Sequence, residues 1–152
     1  MTERRYEFFC CSSAGHSVPI IDGKYQSFGS EYKSDVIKAA DNSFCLEMSK
    51  AYDIDDLKGL KRCFDINEDS VVLCDKFEFE SGTHDVVERF VSMVEPEKCG
   101  EYVKVGGMLI KTDCEANISK TDITSHQGEK VTLHIIDFKL KDSDFKAEFA
   151  FE

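Results

Sequence analysis

The sequence predicts an all-β chain, an antiparallel β-sandwich of about a dozen short strands. Three observations carry that prediction. Apolar side chains recur with a period of two along most segments, turn residues interrupt them at short intervals, and no helical pattern alternates with the strand patterns as a βαβ fold requires. A length of 152 residues suits one domain, placed over 1–152, and 12 Phe, 5 Tyr and an apolar share of 41% furnish its core without any Trp.

In chain order, strands are expected near 6–11, 17–21, 34–40, 43–50, 60–66, 71–79, 85–94, 101–105, 108–112, 115–122, 130–138 and 145–151. Phe44, Leu46 and Met48 alternate with Cys45, Glu47 and Ser49, and Phe77 and Phe79 alternate with Lys76, Glu78 and Glu80. Leu60, Phe64 and Ile66 share one face of their strand, as do Phe145, Ala147, Phe149 and Phe151 of theirs. The polar run Asn67-Glu68-Asp69-Ser70 has turn chemistry and predicts an antiparallel hairpin between the strands on either side. Gly82, Gly100, Gly106-Gly107 and Gly128 punctuate the remainder. Between Asp53 and Lys61 the spacing of Ile54, Leu57 and Leu60 supports at most one short turn, so no long helix is expected. No internal repeat or linker divides the chain.

A formal charge of −11, from 30 acidic and 19 basic residues, repels polyanions and argues against nucleic acid as a partner. No stretch approaches the ~20 uninterrupted apolar residues of a bilayer span, and Met1-Thr2-Glu3-Arg4-Arg5 leads into a strand pattern without an apolar signal core, so no membrane partner is expected. The seven cysteines are odd in number, scattered and set mostly among apolar strand residues. They read as reduced, buried thiols, which favours a cytoplasmic compartment. The adjacent Cys10 and Cys11 lack a CxxC spacing and read as packing residues.

The most distinctive run is Ser12-Ser13-Ala14-Gly15-His16-Ser17-Val18-Pro19-Ile20-Ile21-Asp22-Gly23. Gly15 permits a close backbone approach, Pro19 restricts the strand to an edge or a short ladder, and Asp22-Gly23 is a turn. On these terms His16 is either a structural histidine at a strand start or a ligand. The segment from Arg4 to Gln26 resembles the opening of the C-terminal β-sheet domain of the heparinase II/III-like polysaccharide lyases, in which a strand leads to S-x-G-H-[NS] and then to [DN]-G-x-x-Q. The similarity continues through Leu60-Lys61-Arg62-Cys63-Phe64, Asp75-Lys76-Phe77-Glu78-Phe79 and Val87-Glu88-Arg89-Phe90-Val91.

The resemblance implies a parent enzyme with an N-terminal (α/α) toroid that cleaves uronic-acid-containing polysaccharides, glycosaminoglycans among them, by β-elimination. The Tyr and His that act as acid and base, and the Asn or His that neutralises the uronate, then lie upstream, so the chain reads as an inactive fragment with no catalytic residue of its own. His16 matches the histidine that completes a metal site with a His and an Asp from upstream strands in metal-containing members. Zinc suits that donor set in the intact protein, and none is expected in the fragment. Ser17 departs from the Asn that many relatives carry after the histidine. The implied partners are an anionic polysaccharide, through the parent, and the missing toroid. The face that meets the toroid is expected to be partly apolar and to favour a homodimer of the fragment. A parent with a signal peptide would be periplasmic or secreted.

The other candidates read more simply. His84, His126 and His134 read as surface residues, and Asp35, Asp41, Asp53, Asp55 and Asp56 lack a calcium-loop spacing. Arg4-Arg5-Tyr6 reads as edge-strand charge. The competing function is a non-catalytic β-sandwich that binds carbohydrate or packs against a helical partner.

Overall fold

The computed structural model describes residues 8–125 and 127–152, and among these it is all-β. The strands are β1 (Pro19–Ile21), β2 (Asp35–Ala40), β3 (Ser43–Glu47), β4 (Leu57–Ile66), β5 (Ser70–Phe79) and β6 (Val86–Ser92), followed by β7 (Pro96–Cys99), β8 (Tyr102–Val105), β9 (Met108–Lys111), β10 (Ala116–Thr124), β11 (Lys130–Lys139) and β12 (Asp144–Phe151). They form two antiparallel sheets, one of four strands in the order β1-β6-β11-β10 and one of eight in the order β2-β3-β4-β5-β12-β9-β8-β7. Short 3-10 turns occupy Phe9–Cys11, Ser13–Gly15 and Ser49–Ala51.

Alternation decides which side chains enter the space between the sheets. The inner face of β5 carries Leu73 and Phe77, β12 adds Phe145 and Ala147, and β11 answers from the other sheet with Ile136 and Phe138, all nearly solvent-free. Phe90 of β6 joins the layers: its ring meets Phe149 at 5.2 Å, Phe138 at 5.9 Å and Phe145 at 6.1 Å between centroids, the first two edge-on as aromatic quadrupoles prefer. The predicted β4–β5 hairpin is present, with Ile66 opposite Val71 and the Asn67 amide donating to the Ser70 carbonyl at 2.8 Å.

One expected strand is absent from the described residues, and one strand forms where none was expected. The apolar run expected as a strand over 6–11 forms a single 3-10 turn, Phe9–Cys11, over its described part. Gly15 makes that compaction feasible, because a Cβ there would lie 2.5 Å from the Phe9 carbonyl oxygen. Conversely, Pro96-Glu97-Lys98-Cys99 has no alternation to announce it, yet forms β7 at the sheet edge, where a first-position proline costs no ladder hydrogen bond.

The reading of all seven cysteines as reduced also needs correction. Cys45 of β3 and Cys63 of β4 stand opposite one another with Cα atoms 4.1 Å apart and are joined as a disulfide. Register brings them together, and sequence spacing gave no sign of it.

Phe145 is 1% exposed, and from the eight-stranded sheet its ring meets Phe90 and Phe138 of the four-stranded one. Phe145→Ala is expected to cost about 3–5 kcal/mol of unfolding free energy in urea titration, the usual penalty for emptying a buried aromatic site. A loss of only a few tenths would show that the sheets are held together elsewhere.

Candidate functional site

The charged residues of three strands break the apolar alternation of the inner faces. Arg62 lies between Leu60 and Phe64, Asp75 between Leu73 and Phe77, and Glu88 between Val86 and Phe90. The β4–β5 register sets Arg62 directly opposite Asp75, and Glu88 reaches in from β6 of the other sheet. Arg62 Nε donates to Asp75 Oδ1 at 2.9 Å and to Oδ2 at 3.0 Å, while Nη2 donates to Asp75 Oδ2. The same Nη2 donates to Glu88 Oε2 at 2.8 Å, and Nη1 donates to the Ser17 carbonyl at 2.9 Å. The planar fork of arginine serves all three acceptors at once, which a lysine cannot do.

Burial sets the electrostatics. Arg62 is 5% exposed, and Asp75 and Glu88 are fully enclosed. Desolvation works against the Arg62 charge, but the hydrogen bonds it donates to Asp75 and the charges of Glu88 and Asp75 outweigh it and hold the guanidinium above its usual value. Burial, reinforced by the Asp75 charge and opposed by Arg62, pushes Glu88 well above the usual carboxylate range. Among the described residues its Oε1 has no hydrogen-bond partner and Arg62 is the one cation bonded to it, which fits a carboxyl held toward the neutral form.

This cluster anchors the segment from Ser12 to Gly23. Beside the Arg62 contact to Ser17, the buried Tyr52 hydroxyl donates to the Pro19 carbonyl at 2.8 Å. Burial drives that hydroxyl's pKa upward, so it stays a donor. Arg89 forms a two-pronged pair with Asp137, both contacts 2.8 Å, and its Nη1 donates to the Ala14 carbonyl at 3.2 Å. The Val91 amide donates to Ser17 Oγ at 3.2 Å and the Gln26 amide to Ser13 Oγ at 2.8 Å.

At the far end, Asp22 and Gly23 both take positive φ, 51° and 71°, and close a two-residue turn in which the Lys24 amide donates to the Ile21 carbonyl at 2.8 Å. Asp22 accepts from the Asp85 amide at 2.8 Å and pairs with His84 Nδ1 at 2.7 Å, and the His84 ring stacks on Phe79 with centroids 3.9 Å apart. The hydrogen bond between them raises the His84 pKa and lowers that of Asp22.

His16 sits after the second 3-10 turn, its amide donating to the Ser13 carbonyl at 3.1 Å and its side chain exposed. Among the described residues no three His, Cys, Asp or Glu side chains stand close enough to hold a metal ion. His16 alone does not fit zinc, which needs further ligands. The surface reading fails for His134, which is 8% exposed on β11, and for His84, whose side chain is 10% exposed and ion-paired. His126 and Arg4-Arg5-Tyr6 lie outside the described residues.

Asp75 and Glu88 have no surface with which to meet a polymer. The cluster therefore acts as an internal anchor that positions the loop bearing His16. In the sequence, Arg62, Asp75 and Glu88 stand only within the segments that carry the resemblance, with no role of their own. The signal that reveals them is a charge at an inner-face position of each alternation. An open cleft of about 1090 Å³ lies elsewhere, bordered by Lys98, Lys111, Lys141 and Lys146, by Tyr102, and by acidic side chains such as Glu148, which pairs with Lys111 at 3.5 Å.

No family model matches the chain, and no curated protein matches it.

Because the folded-state pKa of Glu88 is raised, its contribution to stability is fully present below the ordinary glutamate value of 4.5 and is lost as pH rises through the folded-state value. Glu88→Gln removes that loss. In urea titrations across pH, the stability of the variant relative to the wild type is expected to rise with pH, by at most about 1.4 kcal/mol per unit. Parallel curves for the two proteins would refute the raised pKa.

Proposed function

We propose that this chain is the β-sheet domain of a heparinase II/III-like polysaccharide lyase, which carries no acid or base of its own and presents an anchored loop to the enzyme's catalytic part. One observation supports the reading. The four separate segments that carry the resemblance meet at a single place: Arg62 and Arg89 bond the carbonyls of Ser17 and Ala14 in the Ser12–Gly23 segment, and Asp75 and Glu88 hold Arg62. Segments scattered over some seventy-five residues share a pattern because they build one anchor.

On this reading the division of labour is physical. Arg62, Tyr52 and Arg89 fix the carbonyls of Ser17, Pro19 and Ala14, so that the exposed His16 is offered from a rigid base. A metal at His16 would need its other ligands from outside the described residues, and no step is assigned to it. The net charge of −11 works against capture of a uronate polymer by this domain alone, so sugar binding falls to the toroid that the family places before it.

The test is the ultraviolet absorbance of unsaturated uronate on heparan sulfate, alginate and related polymers. The natural polypeptide that joins this domain to a toroid is expected to generate the signal, and the chain alone is not. Flat traces from the joined protein on every uronate polymer would sink the proposal.

A second reading, a non-catalytic carbohydrate-binding sandwich, draws on the cleft, whose lysines can pair with sugar carboxylates and whose Tyr102 offers a stacking plane. Glycan-array binding by the chain at moderate salt, abolished by Tyr102→Ala, would favour it. An array without a positive glycan would remove it.

A further inference from the structure

We propose that Cys45, Cys63 and Cys74 form a thiol–disulfide exchange site on the outer face of the eight-stranded sheet, in which the bond of Cys63 moves between Cys45 and Cys74. The proposal is independent of the lyase reading.

Strand register carries the inference. Cys63 of β4 is the direct partner of Cys45 on β3 and also of Cys74 on β5, so the three lie in one row across adjacent strands. All three face the same way. Their sequence neighbours Leu46, Arg62, Leu73 and Asp75 fill the inner face, which leaves the cysteines on the outer one, each of them half-buried. Cys45 and Cys63 are bonded, and Cys74 is a free thiol.

The ladder gives Cys74 a feasible reach. At 4.1 Å between Cα atoms, Cys45 and Cys63 are a narrow, non-hydrogen-bonded pair. A residue in a narrow pair on one side is in a wide pair on the other, about 5.5 Å, which lies within the range a disulfide spans. The register also places the attacking Cys74 and the leaving Cys45 on opposite sides of Cys63, the arrangement that displacement at sulfur requires.

The step balances within the chain. Cys74 loses its proton to solvent, and its thiolate attacks the Cys63 sulfur. A Cys63–Cys74 bond forms as the Cys45–Cys63 bond breaks, and Cys45 leaves as a thiolate that takes up a proton. There is no net oxidation. Exchange moves the free thiol from the middle of the sheet to β3, one strand from the edge strand β2.

The surroundings set its pace. Burial raises the Cys74 pKa, and Asp65 and Asp75 add to this, while Lys146, its direct partner on β12, and Lys76 work against it. Exchange should therefore quicken as pH rises toward and above the ordinary thiol value, about 8.5.

The experiment holds the oxidised chain in thiol-free buffer at about that pH, quenches with acid, alkylates, digests and identifies linked peptides by mass spectrometry. Both Cys45–Cys63 and Cys63–Cys74 linkages are expected, appearing at a rate independent of protein concentration. Cys74→Ser is expected to retain only the first linkage. Cys45→Ser, in a glutathione redox buffer, is expected to form the second. Absence of the Cys63–Cys74 linkage from the wild-type chain would overturn the proposal, and so would a rate proportional to protein concentration, which marks exchange between molecules. If Cys45→Ser leaves Cys63 and Cys74 both open to alkylation, the proposal fails equally.

Discussion

The guanidinium of Arg62 ties together parts of the chain that share little else: the β4–β5 hairpin through Asp75, the second sheet through Glu88 and the Ser12–Gly23 segment through the Ser17 carbonyl. A buried ion pair is weak evidence for stability, because desolvating its members costs about as much as their attraction returns. Its value here lies in specification. A one-residue slip between β4 and β5 would turn Arg62 outward and strand Asp75 in the core without a partner. The cluster therefore penalises wrong registers far more than a Leu or Ile at the same positions would.

From that constraint follows the character of the loop it holds. The segment before β1 is irregular backbone, two 3-10 turns followed by an extended approach to Pro19, yet its carbonyls at Ala14 and Ser17, and that of Pro19 where β1 begins, are each claimed by a side chain rooted in a strand or its flank. Irregular backbone pinned at three points behaves as an extension of the sandwich rather than as a free connector. His16, exposed between two of those points, has a defined position although among the described residues no side-chain partner of its own defines it.

The sandwich was legible because most of its strands bury one face, which writes a period of two into the residues. Phe44 to Met48 and Phe145 to Phe151 show it plainly. Where the rule is weak, the reading fails. β7 is a short edge strand with little to bury, and the turn at Phe9–Cys11 is shaped by a backbone approach to Gly15 that composition does not record. The Cys45–Cys63 bond was hidden for another reason: pairing between strands depends on register, and register follows from turn lengths and bulges that sequence spacing does not fix. It also removes two of the thiols on which a reducing compartment was inferred. In the candidate site, the motif residues were visible, but their common purpose was not, since Arg62, Asp75 and Glu88 become a unit only when two sheets face each other.

The placement of β12 bears on how the domain comes to be folded. It lies between β5 and β9 in the interior of the larger sheet, while the segment 80–143 that separates it from β5 builds the whole of the smaller sheet's β6, β10 and β11. During synthesis, β5 must wait with an open edge until that entire excursion has been made. Pairings of such long sequence separation are slow, and the waiting edge is a template for the wrong strand. The crowding of Lys and Glu on the outward positions of β5 and β12, Lys76, Glu78, Lys146 and Glu148, is then a safeguard for the nascent chain as much as a property of the finished surface.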